Sequence, residues 1–146
     1  MSVKERTLAI IKPDSVKSGI IGKIISVIEE SGLNIKAMKM VHLDASLAGR
    51  FYEVHRGKPF FEGLVEFMIS GPVCVLALEG ENAILRWREV MGATNPENAL
   101  KGTIRKMFAS SVQYNAVHGS DASQTAQQEL SFFFSISELI AIDPEA

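Results

Sequence analysis

Residues 115–121 read NAVHGSD and set His118 between an asparagine and a small polar turn. A histidine that only packs sits among large apolar neighbours. One that does chemistry needs open approach to one ring nitrogen and a fixed partner on the other. Zinc ligation fails on spacing, because His42, His55 and His118 are scattered with no i, i+4 pair, and Cys74 is the only cysteine. His42 at a strand end and His55 at a helix end are read as local in role. A hydrolase triad fails because Ser120 and Asp121 are chain neighbours of His118, whereas a triad is assembled from distant segments, and no G-x-S-x-G elbow occurs. A phosphate loop fails at Gly19-Ile20-Ile21-Gly22-Lys23-Ile24, which has two residues between its glycines where four are needed, and an Ile in place of the hydroxyl. What remains is His118 as a nucleophile, with Glu129 on the following helix as the candidate carboxylate that orients its ring.

These residues do not decide the matter one by one. A histidine beside Gly-Ser-Asp is commonly just solvated. Arg88 and Arg105 read individually as helix-surface charges, Phe60 and Tyr52 as core aromatics, and Lys12 as strand-end punctuation before Pro13.

Composition narrows the setting. The chain has 146 residues, 47% hydrophobic and 22% charged, with net charge −2, as expected of one domain spanning 1–146 with a real core. That balance argues against a general nucleic-acid binder, which usually carries a basic excess, so any anion site has to be a local cluster of Lys and Arg. A lone cysteine in VCVLAL fits a reducing compartment. MSVKERTLAIIKPD reaches charge and proline too early for a signal peptide, and no apolar run approaches the ~20 residues of a membrane helix. A cytoplasmic protein is expected.

The elements that would carry these residues are legible in outline. RTLAIIK (Arg6 to Lys12) reads as a strand ending at Pro13. Ile21, Ile24, Ile25 and Ile28 recur at helical spacing, with Gly32 as the stop. Leu33 to Leu43 reads as a strand. Asp44 caps a helix running through Arg50 to His55, and Pro59 opens another over PFFEGLVEFM. After the turn Ser70-Gly71-Pro72, VCVLALE is a buried strand, Asn82 to Met91 an amphipathic helix ended by Gly92, and Thr103 to Phe108 a short helix. NAVHGSD then supplies a short strand before the helix SQTAQQELSFF and a C-terminal tail. This order predicts an α+β sandwich of the ferredoxin-like, split βαβ kind: a four-stranded antiparallel sheet with helices on one side, in a strand order the pattern does not fix.

Taken together, NAVHGSD, KPD (Lys12 to Asp14), PFFEGL (Pro59 to Leu64), SGPV (Ser70 to Val73), ATNP (Ala93 to Pro96) and GTIR (Gly102 to Arg105) resemble nucleoside diphosphate kinase, in the family's order, from about Arg6 to about Phe134. The resemblance implies ping-pong transfer of the terminal phosphate of a nucleoside triphosphate to a diphosphate through a phosphohistidine. Mg²⁺ would arrive on the nucleotide, with no protein metal site. It matches His118 to the phosphorylated histidine, Glu129 to its acidic partner, and Lys12 and Asn115 to sugar and phosphate contacts. It matches Arg88, Thr94 and Arg105 to the outer phosphates and Tyr52 to a hydroxyl beside the reacting phosphate. Phe60, Val112 and Leu64 match the apolar contacts of the base. A homo-oligomer, tetramer or hexamer, is also implied, and the run Phe132-Phe133-Phe134 is compatible with burial between subunits. The alternative is a silent nucleotide-binding or regulatory module of the same fold, which would be expected to lose His118, Lys12 or Glu129; all three are present.

The chain departs from the family's usual pattern at three places. Ala122 stands where HGSDS has its last serine, so a helix cap is expected to be lost unless Ser120, Asp121 or Ser123 replaces it. Lys106-Met107-Phe108 stands where an Asp-aromatic pair is more common, and Ser15 replaces a Gly or Ala.

Overall fold

A computed structural model describes residues 4–139 of the protein. Strands β1 (Lys4–Ile11), β2 (Asn34–Val41), β3 (Val73–Glu81) and β4 (Val117–Gly119) form one antiparallel sheet in the order β2-β3-β1-β4. The register sets Ile10 opposite His118 on one side of β1 and opposite Val75 on the other. The short β4 is an edge strand, and it is the strand that carries the histidine.

Helices cover both faces of this sheet, where one was expected. Ala9 and Ile11 of β1 with Leu76 and Leu78 of β3 pack under Ile24 and Ile28 of α2 (Ile21–Glu30) and Trp87 and Met91 of α5 (Ala83–Met91). The alternate residues Leu8, Ile10, Val75 and Ala77 pack under α3 (Ala45–Phe51), α4 (Phe61–Met68) and α7 (Ser123–Phe133), through Ala48, Phe67, Met68, Leu130 and Phe133. The reason lies in the strands: β3 is buried at seven consecutive positions, and an uninterrupted apolar run has to be covered on both faces. Each fully buried Leu or Ile contributes about 1.5–3 kcal/mol of transfer free energy. Phe133 and Phe134 are buried in this second cluster and Phe132 packs against it, so the aromatic run serves the chain's own core.

Several element ends differ from expectation. Pro13 does not merely end β1; it opens the helix α1 (Pro13–Lys17), with Asp14 in its first turn. Asp44 does cap α3, its Oδ1 accepting from Leu47 N at 2.8 Å, but α3 stops at Phe51 and a separate 3-10 turn follows at Glu53–His55. Helix α4 begins at Phe61, two residues beyond Pro59. The short helix α6 (Ile104–Phe108) is capped by Thr103, whose side chain accepts from Lys106 N. Helix α7 begins after Ala122 with no side-chain cap at all; none of the serines or Asp121 takes over. After a 3-10 turn at Ile136–Glu138, the rest of the expected tail lies outside the described residues. No described helix is long and apolar enough to cross a membrane.

Candidate active site

His118 lies on the α3/α4/α7 side of the sheet, since its β1 neighbour Ile10 belongs to that cluster. Helix α7 packs back against β1 and brings Glu129 to the histidine: His118 Nε2 and Glu129 Oε1 are 2.9 Å apart. The same carboxylate oxygen accepts from Ser120 Oγ at 2.7 Å, and Ser120 Oγ in turn accepts from the β1 backbone at Leu8 N. In the neutral ring, the nitrogen facing the carboxylate carries the proton, which leaves the lone pair on Nδ1. Phe51 meets the ring edge-on at 5.4 Å and Tyr52 at 6.1 Å between centroids. On the opposite side of the sheet, Trp87 Nε1 donates to the His118 carbonyl at 3.1 Å. A Cβ on residue 119 would come within 2.6 Å of Trp87 Cδ1, so Gly119 is needed for the indole to get that close.

The cations gather at the end of β1. Lys12 is 6% exposed and its Nζ donates to Asn115 Oδ1 at 2.8 Å. Burial, then the charge of Arg105, lower its pKa to about 8, while Asp14 pulls it partly back. Arg105, 8% exposed, donates to the carbonyls of Asn115, Gly92 and Val117 at 3.2, 3.0 and 2.9 Å, and burial together with Arg88 lowers its pKa to about 10. A guanidinium has five N–H groups. Three are bonded to the carbonyls on either side of Ala116 and at the end of α5. Arg88 is half exposed and pairs with Asp121 Oδ1 at 2.7 Å. Thr94 is exposed in the loop that leads from Gly92 to a 3-10 turn at Pro96–Asn98.

Tyr52 supplies an orphan. Its hydroxyl is buried without a partner, and burial first, then Glu129, raise its pKa, so it stays a protonated donor facing the histidine's surroundings. His55 stacks on Tyr52 at 6.3 Å and meets Phe60 at 5.2 Å, and its Nδ1 is likewise buried and unpartnered. An unpaired buried polar atom is costly, so the Tyr52 hydroxyl, on a ring 6.1 Å from that of His118, is a donor available to a polar ligand there. Phe60 and Val112 are exposed by 52% and 55%. They belong to facing segments: Gln113 Nε2 donates to Gly63 O at 3.5 Å, and Phe67 meets Tyr114 at 4.9 Å. Leu64 packs behind them against the second cluster.

The sequence-selected residues thus fall into a histidine–acid pair, a buried cationic group and an exposed apolar rim. Sequence reading missed Ser120 as a second partner of Glu129, Trp87 behind the histidine carbonyl, Asp121 on Arg88, and His55 beside Tyr52. One signal was available: Ser120 is two residues beyond His118, so a strand there puts both on one face. Among the described residues, no three His, Cys, Asp or Glu side chains gather as a metal site.

The comparisons agree on one family. A family model described as nucleoside diphosphate kinase matches residues 5–139. The nucleoside diphosphate kinase of Francisella tularensis subsp. tularensis is 60% identical over 136 residues, spanning 93% of this chain and 97% of its own. That of Chlamydia felis is 57% identical over 136 residues, spanning 93% and 96%. The solved Aquifex aeolicus nucleoside diphosphate kinase superposes with a TM-score of 0.93 at 46% identity, over 94% of this chain and all of that one. A halophilic nucleoside diphosphate kinase from Halobacterium salinarum, solved in complex with CDP, gives 0.92 at 39% identity over 98% and 95%.

Proposed function

The chain belongs to the nucleoside diphosphate kinase family and is a phosphotransferase between nucleoside tri- and diphosphates; we propose that it works by a ping-pong route through phosphorylated His118. The observation that carries this reading is the 2.9 Å contact of Nε2 with Glu129, which leaves Nδ1 as the nucleophile. Nδ1 attacks the terminal phosphorus, a P–N bond forms, and the bond from phosphorus to the bridging oxygen breaks to release the diphosphate. Glu129 stabilises the positive charge the ring acquires, and a second diphosphate takes the phosphate by the same steps in reverse.

Phosphoryl transfer leaves the protein mainly positioning and charge neutralisation. Lys12, Arg88, Arg105 and Thr94 are assigned to the phosphates, Tyr52 to the reacting phosphoryl through its unpartnered hydroxyl, and Lys12 and Asn115 to the sugar. Phe60 and Val112 enclose the base with Leu64 beside them; stacking is typically worth ~1–3 kcal/mol per base and tolerates any base. Mg²⁺ would arrive on the phosphates that Lys12, Arg88 and Arg105 are assigned to hold, and when bound it would neutralise phosphate charge. Residues 1–146 are taken as one domain of this family, working in the cytoplasm as a homo-oligomer (tetramer or hexamer) with no nucleic-acid partner, and family membership carries that assignment.

Incubation with γ-labelled ATP and Mg²⁺ tests the route. One acid-labile, base-stable label per chain, passed on to GDP, is expected. Acid-stable label, or none, overturns it. His118→Ala is expected to abolish labelling while nucleotide binding persists.

A further inference from the structure

Ala116, two residues before the histidine, has φ 74°, one of two left-handed non-glycine residues described. Val117 N donates to Asn115 O at 2.9 Å across it, which closes a γ-turn of the rare positive-φ kind. For an alanine this conformation is strained and persists only where its surroundings over-determine it. The surroundings here are specific. Ala116 N donates to Asp14 Oδ2 at 3.1 Å, and Ala116 O accepts from Lys12 N at 2.9 Å and from Ser15 Oγ at 3.3 Å. Both backbone polar groups of Ala116 are therefore taken by three residues at the β1–α1 junction, Lys12, Asp14 and Ser15.

That turn joins the two halves of the site. Asn115, before it, meets Lys12; Val117 and His118, after it, form β4 and meet Arg105 and Glu129. We propose that Asp14 is a positioning residue for phosphotransfer. With Ser15 it locks Ala116 in left-handed backbone, and the lock sets the angle at which His118 faces the bound phosphate. Ser15 stands where the family usually has Gly or Ala, so its hydroxyl adds a bond to the lock that such a residue cannot make. The inference rests on His118 being the phosphate carrier.

The experiment measures the rate of His118 phosphorylation at saturating ATP in single turnover, with nucleotide affinity measured separately on each folded variant. Asp14→Ala is expected to slow phosphorylation about 10–100-fold, the scale of a small misplacement of a reacting group, while affinity moves less than about threefold. Asp14→Asn keeps an acceptor for Ala116 N and should stay within a few-fold of wild type. Ala116→Gly removes the strain, because glycine adopts positive φ freely, so in its background Asp14→Ala should lose much less. Should Asp14→Ala fail to fold, Ser15→Ala serves, with a slowing of a few-fold that Ala116→Gly cancels. Unchanged phosphorylation in Asp14→Ala, or in Ser15→Ala when the former does not fold, overturns the inference, as does an equal loss with and without Ala116→Gly. Absence of any acid-labile label on the wild type would instead count against His118 itself.

Discussion

Strand β1 ends in charge on both sides, and the two ends are opposites. At its start, Glu79 of β3, only 1% exposed, is ringed by Arg6 at 3.0 Å, Lys36 at 3.8 Å and Lys4 at 4.0 Å. There a buried anion is matched by cations that reach out towards water. At its finish, Lys12 and Arg105 are themselves buried, and their direct partners are an amide oxygen and backbone carbonyls. Neutral acceptors hold these cations in place without cancelling their charge. The buried Lys12 and Arg105 thus lack the direct carboxylate partner that Glu79 gives the cations at the start, although the more exposed Arg88 beside them pairs with Asp121; under the proposed function the first cluster stabilises and the second receives an anion. On a protein of net charge −2, the phosphates of a nucleotide bound as proposed would meet the buried charges of Lys12 and Arg105.

Substitution at each end should give opposite phenotypes. Lys12→Met is expected to lower kcat/KM roughly 10²–10³-fold, the scale of losing one preorganised charge donor, with no fall in the urea midpoint, because burial disfavours the charged lysine in the folded state; steady-state kinetics with ADP and GTP check it. Glu79→Ala is expected to cost about 3 kcal/mol of stability, the low end for a broken buried pair because its partners are partly exposed, and to leave the activity of the folded fraction intact. Urea unfolding beside active-site labelling reads both. A comparable loss of turnover in Glu79→Ala would erase the contrast.

pH sharpens it further. The Lys12 pKa is lowered from 10.5 to about 8 by burial and by Arg105. As pH rises through that value the ammonium is lost, so kcat/KM for a diphosphate should fall about tenfold per unit above it. Stability should move the other way. Between about 8 and 10.5 the unfolded chain holds the Lys12 proton and the folded one does not, so the Lys12 contribution favours folding as pH rises across that window. Lys12→Met, compared with wild type in both assays, isolates the two slopes. The smallest effect belongs to neither end: Ala122→Ser gives α7 the cap it lacks and should add about 1 kcal/mol, seen as a raised melting temperature.

What the sequence disclosed follows chain separation. His118 and Glu129 are 11 residues apart and joined by one turn, so their pairing was legible from local pattern. Lys12 and Asn115 are 103 residues apart, and only the joint match of several motifs put them together. Trp87 was missed because its bond forms only when α5 docks on the far face of the sheet, which no local pattern reports; Ser120 was within reach of the two-residue strand period that links it to His118, but its bond to Glu129 also needs α7 to dock. Cover on both faces was readable in VCVLALE, apolar at every position but its last, yet the helices alone suggested one layer. Pro13 misled for a definite reason: the fixed φ that ends a strand also suits the first residue of a helix.

Trp87 is the chain's only tryptophan, and its indole N–H rests on the carbonyl of His118. On the proposed route, a phosphate arriving on that imidazole would alter the electric field at the sole long-wavelength fluorophore in the chain. Stopped-flow emission from Trp87 is therefore expected to follow turnover without any attached dye.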